Sequence, residues 1–483
     1  MNSVDGLDPE LAEKQAFDIV TEFMESIDNG NTSFDKIDEL MPLAFNENEE
    51  ISRRMIEPVF GVLINNLKKS FKKSDGDLFL KIFPKFILEA KKSSEIVEKW
   101  FERMNISKIN SQEDLYKRSI KLRNQQKSIS PQERDNIKKV IVLSRNTIGA
   151  EAYINGIIIS RLLENLKNAQ IIFLDTANVG KHIFNHPRIN SITSFINSDG
   201  KEVSLVWDRH NIKVLERFEY TANLSEFIDL ETRKLKKEEF MVFDADTRLS
   251  QTGAMPICDE ANHYFIDSAT EGSKFGNVEN FGSLCNNYLN KIFQEKKLNH
   301  PKIYLPENEK NIAKDFRNNL PRDKKIIMIH LGSGLKNKTL SAEFEQHLVL
   351  NSFKFGVPLI IKSPVEWEIE KIQNLIGFLE RNGKKEGKDF FTFKGPLSTF
   401  VALISEMDLC IGYDSQSQHM AASLGIPFIT LFTGHINRAF LKRWTPISKN
   451  FSRIIEVDKE LVNHEEDALR KTIHHMEEFF QKA

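Results

Sequence analysis

The chain has 483 residues, which is too long for one small module, since domains usually contain about 100 to 200 residues. Hydrophobic residues make up 40% and charged residues 28%, and this composition excludes wholesale disorder. The formal net charge of -2 provides no overall field for sequence-independent binding, so nucleic acid is not expected as a partner.

The balanced charge conceals an uneven distribution along the chain. Residues 1–50 contain fourteen acidic residues and two lysines, whereas residues 51–130 carry a net charge of +9. The simplest interpretation is that the two segments pair with each other. The alternative is that the basic segment contacts anionic membrane or lipopolysaccharide head groups.

Three cysteines without a CxxC pattern predict neither a disulfide framework nor a zinc cluster, and favour a reducing, cytoplasmic compartment. The first residues do not resemble a signal peptide, and no apolar run is long enough to span a bilayer. Any membrane contact is therefore expected to be peripheral, at the inner face of the cytoplasmic membrane.

The first 130 residues are predicted to form a helical domain, because apolar residues recur there at steps of three and four. A polar segment over 121–130 is expected to act as a linker. The predicted helices cover residues 9–27, 50–70, 76–91, 94–104 and 112–126.

From residue 138 short runs of Val, Ile and Phe alternate with helical segments, a pattern typical of parallel sheets built from βαβ units. The sequence predicts two α/β domains, residues 138–300 and 301–483, with a final helix at about 465–481. The predicted strands are 139–143, 170–174, 203–207 and 240–243 in the first domain, and 325–330, 358–361, 390–393, 409–412, 427–432 and 452–457 in the second.

Ligands of such domains bind beyond the carboxyl ends of the strands, so the loops that follow strands are the candidate sites. One loop contains Gly332, Ser333 and Gly334 and then Lys336 and Lys338. Glycines allow backbone amides to approach a phosphate, and a lysine supplies a cation. A plain connection between strand and helix is the alternative.

A second loop begins at Asp414 and Ser415 and runs into a predicted helix that ends at Gly425. The free amides and the positive dipole end of such a helix favour an anion. His419 is expected one turn inside this helix. The alternative is that Asp414 or Ser415 only caps the helix.

The stretch Asp414-Ser-Gln-Ser-Gln-His-Met-Ala-Ala-Ser-Leu-Gly-Ile-Pro427 is similar to the Asp-Ser/Thr-Gly-x-x-His-x-Ala-Ala-x-Leu-Gly-x-Pro signature of glycosyltransferase family 9, the heptosyltransferase-like enzymes. Arg443-Trp-Thr-Pro446 resembles the closing Trp-x-Pro segment of that family, and the glycine loop resembles its His-Pro-Gly-Ser/Ala-Gly segment. The resemblance spans about residues 138–460. It implies the GT-B fold, in which two Rossmann-like domains face a cleft.

The resemblance also implies roles for individual residues on the donor side. The start of the helix would hold the diphosphate of a nucleotide-sugar donor, which makes Asp414, Ser415 and His419 donor-binding candidates, with Gln416 where the family usually has Gly. Lys338 is favoured over Lys336 as the phosphate-binding cation. Glu366 corresponds to the acidic residue that bonds the nucleotide ribose, although a solvated helix start explains it equally well.

In the first α/β domain, the loop containing Arg145 and Gly149 resembles the Gly-Asp loop of the family, whose Asp is the proposed general base. Here Ala150 follows Gly149, and the carboxylate comes one residue later, at Glu151. Glu151 is the predicted base, although one step around a helix start rotates a side chain by about 100°.

Asp244-Ala-Asp246-Thr-Arg248 follows another apolar strand and places carboxylates at a cleft edge. An Asp-x-Asp pair binds a divalent metal in another transferase fold, but the GT-B resemblance implies chemistry without a metal or other cofactor. Asp246 and Arg248 are therefore interpreted, with Arg145, as acceptor-side residues, and Asp246 is the second candidate for the base. Trp207, Tyr413 or Trp444 could stack on a sugar.

The sequence thus predicts an inverting, metal-independent glycosyltransferase. It would move a heptose or another hexose-like sugar from a nucleoside-diphosphate sugar to a glycan, lipopolysaccharide-type, lipid-linked or protein acceptor. Two alternatives remain open. Ala150 and Gln416 suggest a nucleotide-sugar-binding or scaffold protein without catalysis, and the same architecture also suits a sugar-nucleotide epimerase.

Overall fold

The computed structural model describes residues 7–30, 33–104, 111–145, 147–206, 212–268, 280–434 and 437–482. Two parallel sheets and a preceding set of helices make up this described part. Mixed α/β architecture with a helical N-terminal region is therefore confirmed.

Among the described residues before 130, seven helices form what we call the helical unit. Four predicted helices are confirmed, a short second helix was missed, and the helix predicted over 50–70 is broken. Pro58 has no N–H with which to continue the hydrogen-bond ladder, and the chain passes through π-helical turns at Glu57–Leu63. The helices are α1 (Pro9–Asp28), α2 (Asp35–Ala44), α3 (Glu49–Arg54), α4 (Ile64–Lys69), α5 (Lys73–Ser93), α6 (Glu95–Arg103) and α7 (Gln112–Asn124).

The first sheet is parallel throughout, in the order β3-β2-β1-β6-β7, and defines the first α/β unit. Its strands are β1 (Lys139–Leu143), β2 (Gln170–Leu174), β3 (Ile189–Ile192), β6 (Phe240–Asp244) and β7 (His263–Phe265). The other elements of this unit are α8 (Pro131–Asn136), α9 (Ile148–Ala150), π-helical turns Glu151–Asn155, α10 (Gly156–Asn165), α11 (Gly180–Ile183), β4 (Ser194–Ile196), β5 (Glu202–Ser204), α12 (Val214–Thr232), a 3-10 turn Lys237–Glu239 and α13 (Phe281–Ile292).

The prediction of a sheet strand over 203–207 is wrong. Strand β5 pairs only with β4, in an antiparallel ribbon outside the main sheet. Glu202 and Ser204 are exposed, and such a polar segment cannot fill a position that is buried on both faces. Trp207 lies outside the described residues.

The second sheet is also parallel, in the order β10-β9-β8-β11-β12-β13, and defines the second α/β unit. All six strands predicted for it are confirmed to within one residue at each end. In chain order the elements are α14 (Glu307–Asn318), β8 (Ile326–His330), a 3-10 turn Lys336–Lys338, α15 (Ala342–Ser352), β9 (Val357–Ile361), α16 (Glu366–Arg381), β10 (Phe391–Phe393), α17 (Leu397–Ile404), β11 (Leu409–Tyr413), α18 (Gln416–Leu424), β12 (Phe428–Phe432), α19 (Arg438–Trp444), β13 (Ser452–Glu456) and α20 (His464–Lys482).

The helical unit packs on the first α/β unit through an apolar core that includes residues of α12. Phe218 of α12 stacks on Phe83, with 5.6 Å between ring centroids. The indole N–H of Trp100 donates to the carbonyl of Pro256 at 3.0 Å. Burial of such large aromatic surfaces stabilises the contact, so the helical unit is docked on this side of the molecule.

The acidic and basic N-terminal segments are joined by ion pairs. Arg54 lies 2.7 Å from Glu13, and Lys85 lies 2.6 Å from Asp38. These contacts support the simpler of the two interpretations of the charge pattern. Among the described residues, none of the helices is long and apolar enough to cross a membrane.

The two α/β units share a continuous apolar core and touch where α18 meets the loop after β1. A Cβ atom on Gly149 would lie 3.2 Å from the Cα of Gln416, so only glycine permits this approach without displacement. The hydroxyl of Ser423 donates to the carbonyl of Ala152 at 2.9 Å. The loops that follow β1 and β11 are thereby brought together, while the limits of the three predicted domains stay a prediction.

Candidate active site

Lys338 marks the donor side of the site. Its Nζ atom lies 2.7 Å from one carboxylate oxygen of Asp414, and the other oxygen accepts from the amide of Gln418 at 2.5 Å. Lys336 instead lies near the ring of Trp367, 5.9 Å from its centroid. Lys338 is therefore the lysine that reaches the start of α18, and its phosphate-binding role stays a prediction.

Ser415 occupies the N-cap position of α18, but its side chain accepts no hydrogen bond from the helix amides, contrary to the capping interpretation. Its hydroxyl lies 3.0 Å from that of Ser417 and 3.5 Å from Nδ1 of His330. The first amides of α18 are thus left without this side-chain cap, beside the ammonium of Lys338. That combination suits an anion.

His419 packs between the two α/β units. Its ring stacks on Tyr153, with centroids 5.2 Å apart and an interplanar angle of 16°, and its centroid is 5.9 Å from that of Trp444. Burial lowers the pKa of His419 to about 4, so the imidazole is neutral at physiological pH. In this arrangement His419 supplies packing between the halves and no positive charge.

The glycine loop holds a carboxylate of the protein itself. One oxygen of Glu368 accepts from the backbone N–H groups of Ser333 and Gly334, each at 2.9 Å. A side chain at Gly332 would meet the other oxygen at 2.7 Å. The expectation that these amides are open to a phosphate therefore needs correction, because Glu368 already occupies them.

Sequence reasoning selected Glu366 from this region and missed Glu368. Glu366 is exposed at the first position of α16, whereas Glu368 is buried. The ribose-binding role of Glu366 stays a prediction. The sequence does contain an indication of Glu368. It is a second carboxylate two residues after Glu366, and a side chain at this position can fold back on the glycine loop.

Glu151 is buried behind the loop that follows β1. It accepts from the hydroxyl of Ser144 at 2.6 Å, from the backbone N–H of Arg145 at 2.5 Å and from the amide of Asn155 at 2.6 Å. Burial raises the pKa of Glu151 to about 7, because its effect outweighs the three hydrogen bonds, which lower the pKa. A fully enclosed carboxylate cannot meet an acceptor hydroxyl, so this geometry argues against Glu151 as the base.

A cavity of about 450 Å³ lies between the three units, and we call it the central cavity. Ala150 is on its wall, at the position where the resemblance places an Asp, while Glu151 is not. Three predicted acceptor-side residues are on this wall: Arg145, Asp246 and Arg248. The guanidinium of Arg145 donates to the carbonyls of Ala245 and Asp246, and so ties the two loops together.

Asp246 is the one carboxylate among the described residues that line this cavity. Its backbone has φ of +53°, a strained value for a residue other than glycine. One carboxylate oxygen accepts from the hydroxyl of Ser268 at 2.5 Å. Asp244 is directed elsewhere, since it bonds Ser250 and lies 3.1 Å from Nε2 of His263. The two carboxylates of the Asp-x-Asp pair therefore do not converge.

The central cavity adjoins the donor side through α19. Phe440 and Trp444 line the cavity. The ammonium of Lys338 lies 5.8 Å from the centroid of Phe440. Of the predicted sugar platforms, Trp444 is at the site, while Tyr413 is buried and donates its hydroxyl to Glu345 at 2.8 Å. A donor on Lys338 and an acceptor in the cavity would thus be neighbours.

Residues 288–471 match the family described as glycosyltransferase family 9 (heptosyltransferase). The crystal structure of the glycosyl transferase family 9 from Veillonella parvula DSM 2008 is similar at 14% identity with a TM-score of 0.50, over 72% of this chain and 98% of that one. E. coli ADP-heptose lps heptosyltransferase II is 13% identical over 71% of this chain and 99% of its own, with a TM-score of 0.47. No curated protein matches the sequence.

The matched segment supports a glycosyltransferase, and the two α/β units have the GT-B arrangement. The segment that matches family 9, residues 288–471, contains both Lys338 and Asp414. The helical unit lies outside this segment.

Proposed function

We propose that this enzyme transfers a heptose or another hexose-like sugar from a nucleoside-diphosphate sugar to a hydroxyl of a glycan, lipid-linked or protein acceptor, with inversion and without a metal. The observation that carries the proposal is the position of the central cavity. Its described lining contains one carboxylate, Asp246, and it adjoins through Phe440 the cation and helix start that would hold a diphosphate.

In the proposed reaction, Asp246 takes the proton of the acceptor hydroxyl as its oxygen attacks the anomeric carbon of the donor. The bond from that carbon to the diphosphate oxygen breaks, and the bonding pair leaves with the nucleoside diphosphate. Lys338 and the first amides of α18 stabilise the negative charge that develops on the leaving group. A single displacement of this kind inverts the anomeric centre.

Two features support Asp246 as the base in place of Glu151. It is one of the residues that line the cavity, and the hydroxyl of Ser268 fixes one of its oxygens while the other lies 4.0 Å from Nζ of Lys68. Arg145 donates a hydrogen bond to the loop that carries Asp246, and Asp246 itself has an unusual backbone conformation. A strained backbone at a cavity is typical of a functional position.

We propose that the reaction takes place in the cytoplasm, with any membrane contact confined to the surface. The net positive charge of residues 51–130 supports an attraction to anionic lipids, although Arg54 and Lys85 are paired within the chain. Binding of the full chain to anionic vesicles should weaken as salt is raised, since exposed charges are screened.

The test begins with a thermal-shift screen of the purified protein against a panel of nucleotide sugars, because a bound donor raises the melting temperature by mass action. The donors that bind are then incubated with glycan and glycolipid acceptors, and glycosylated product is measured by mass spectrometry. Transfer with inversion supports the proposal, and donor binding without transfer in any combination contradicts it.

A nucleotide-sugar-binding protein without catalysis is the second candidate, because Ala150 lines the cavity where the resemblance implies a carboxylate. Such a protein binds a donor but releases no nucleoside diphosphate with any acceptor. A sugar-nucleotide epimerase would change the sugar of the donor in the absence of acceptor. Product analysis of the same incubations separates these outcomes.

A further inference from the structure

The helical unit forms one wall of the central cavity. Six of its residues, all from π-helical turns, α4, α5 or the connection between these helices, line the space: Phe60, Ile64, Asn65, Lys68, Phe71 and Phe79. The segment that matches family 9, residues 288–471, does not include them. The cavity is therefore completed by a part of the chain that lies outside that segment.

Lys68 is the cation among the described residues of this wall. Its side chain is 12% exposed, and its Nζ atom lies 4.0 Å from Oδ1 of Asp246, whose side chain is 5% exposed. Within the described part of the chain, neither of these two atoms has a hydrogen-bond partner. The ammonium lies 4.5 Å from the centroid of Phe79, and this ring provides a partial electrostatic contact only.

Such a pair is unlike a structural salt bridge. A buried cation and carboxylate that stabilise a fold are placed within hydrogen-bond distance and have their remaining donors and acceptors satisfied. Here burial lowers the pKa of Lys68 to about 8, against the attraction of Asp246. A buried ammonium without a hydrogen-bond partner lowers the stability of the folded protein. Such a loss of stability is typical of a site built for a ligand.

Neither atom is exposed in this structure, so one hydroxyl group reaches both of them only when the flexible side chain of Lys68 moves. An oxygen about 2.8 Å from each atom completes a triangle with the 4.0 Å separation. That hydroxyl would donate its proton to Asp246 and accept a hydrogen bond from Lys68. It would occupy the position that a base requires for the atom it deprotonates.

We infer that Lys68 is an acceptor-binding residue, that it holds the reacting hydroxyl of the acceptor against Asp246, and that the helical unit is a constituent part of the acceptor site. This inference rests on the proposed function, because it assigns the central cavity to the acceptor. It also predicts that Lys68 has no part in donor binding, since Lys338 pairs with Asp414 at the start of α18 and neither residue lines the central cavity.

The first experiment compares Lys68→Met with wild type, and uses Lys72→Met, at an exposed lysine of the same region, as the matched control. The melting-temperature shift caused by free nucleoside diphosphate should stay within about twofold of the wild-type shift. Transfer to the acceptor should fall by about two powers of ten or more. Near wild-type transfer by Lys68→Met would overturn the inference.

A second measurement needs no substrate, so the inference remains testable if wild type transfers nothing and the proposed function fails. The double variant Lys68→Met, Asp246→Asn removes both charges and should melt a few degrees above wild type, because two incompletely satisfied buried charges are lost. A lower melting temperature would identify the pair as a structural salt bridge and overturn the inference.

Discussion

Lys338 and Asp414 form an ion pair of 2.7 Å between the loop after β8 and the start of α18. The carboxylate holds the ammonium beside the first amides of the helix, and Gln418 in turn fixes the carboxylate. The cation is thus positioned before any ligand arrives, so little reorganisation is needed when charge develops on a leaving group.

Replacement of Lys338 by Ala should lower the turnover of sugar transfer by about two to three powers of ten, because one preorganised charge stabiliser of the leaving diphosphate is lost. The rate is measured at saturating donor. Lys336→Ala is the matched control, since this lysine lies toward Trp367, and it should keep near wild-type turnover. Equal losses in both variants would contradict the assignment.

Asp246→Asn should reduce transfer by about two to four powers of ten, the usual contribution of a positioned general base, while the thermal shift with nucleoside diphosphate is retained. Glu151→Gln should transfer at nearly the wild-type rate. The Gln keeps one acceptor oxygen for Ser144 and Arg145, which both bond the same oxygen of Glu151. The opposite ranking of the two variants would restore Glu151 as the base.

Burial of Glu151 should make the stability of the protein depend on pH. Its pKa is raised from 4.5 to about 7 in the folded state, so between these values the folded protein retains a proton that the unfolded chain has released. The contribution of this group to the free energy of unfolding is greatest below pH 4.5, falls as pH rises toward 7, and is then constant. The total change is roughly 3 kcal/mol.

The difference between wild type and Glu151→Gln isolates this effect from all other titrating groups. The free energy of unfolding is measured by denaturant titration at intervals between pH 4.5 and 8. Wild type should lose stability relative to the variant as pH rises through this range. A difference that does not change with pH would show that Glu151 is charged in the folded protein.

Glu368 and Glu366 offer a test of the glycine loop. Glu368→Ala removes the acceptor of two backbone N–H groups and should lower stability by about 1 to 3 kcal/mol. Glu366→Ala alters an exposed side chain and should leave the melting temperature unchanged. If Glu366 bonds the ribose, only its replacement lowers donor affinity without a loss of stability, as measured by titration with the donor.

The strands of the second sheet were readily predicted from sequence because buried parallel strands are nearly continuous apolar runs, as in Ile326–His330. Strand β7 was missed because His263–Phe265 has only three residues and follows a polar turn. The approach of Lys68 to Asp246 could not be predicted at all. It joins residues far apart in sequence through the docking of the helical unit, and no local pattern encodes that docking.

Gly149 sets the distance between the two α/β units, and its replacement by Ala should weaken the site without touching a catalytic group. The new Cβ atom would lie 3.1 Å from Cδ2 of His419 and 3.2 Å from the Cα of Gln416, so α18 must move by a few tenths of an ångström. We expect a lower melting temperature and a lower rate of transfer, since small misplacements of a reacting pair are costly.

Gly377→Ala is the control for this variant. Gly377 lies within α16, and the nearest neighbour of a new Cβ atom would be Arg381 at 3.4 Å. The change should be neutral or stabilising by up to about 1 kcal/mol. Equal stability and activity in Gly149→Ala and Gly377→Ala would show that the contact between the halves is not tight in solution.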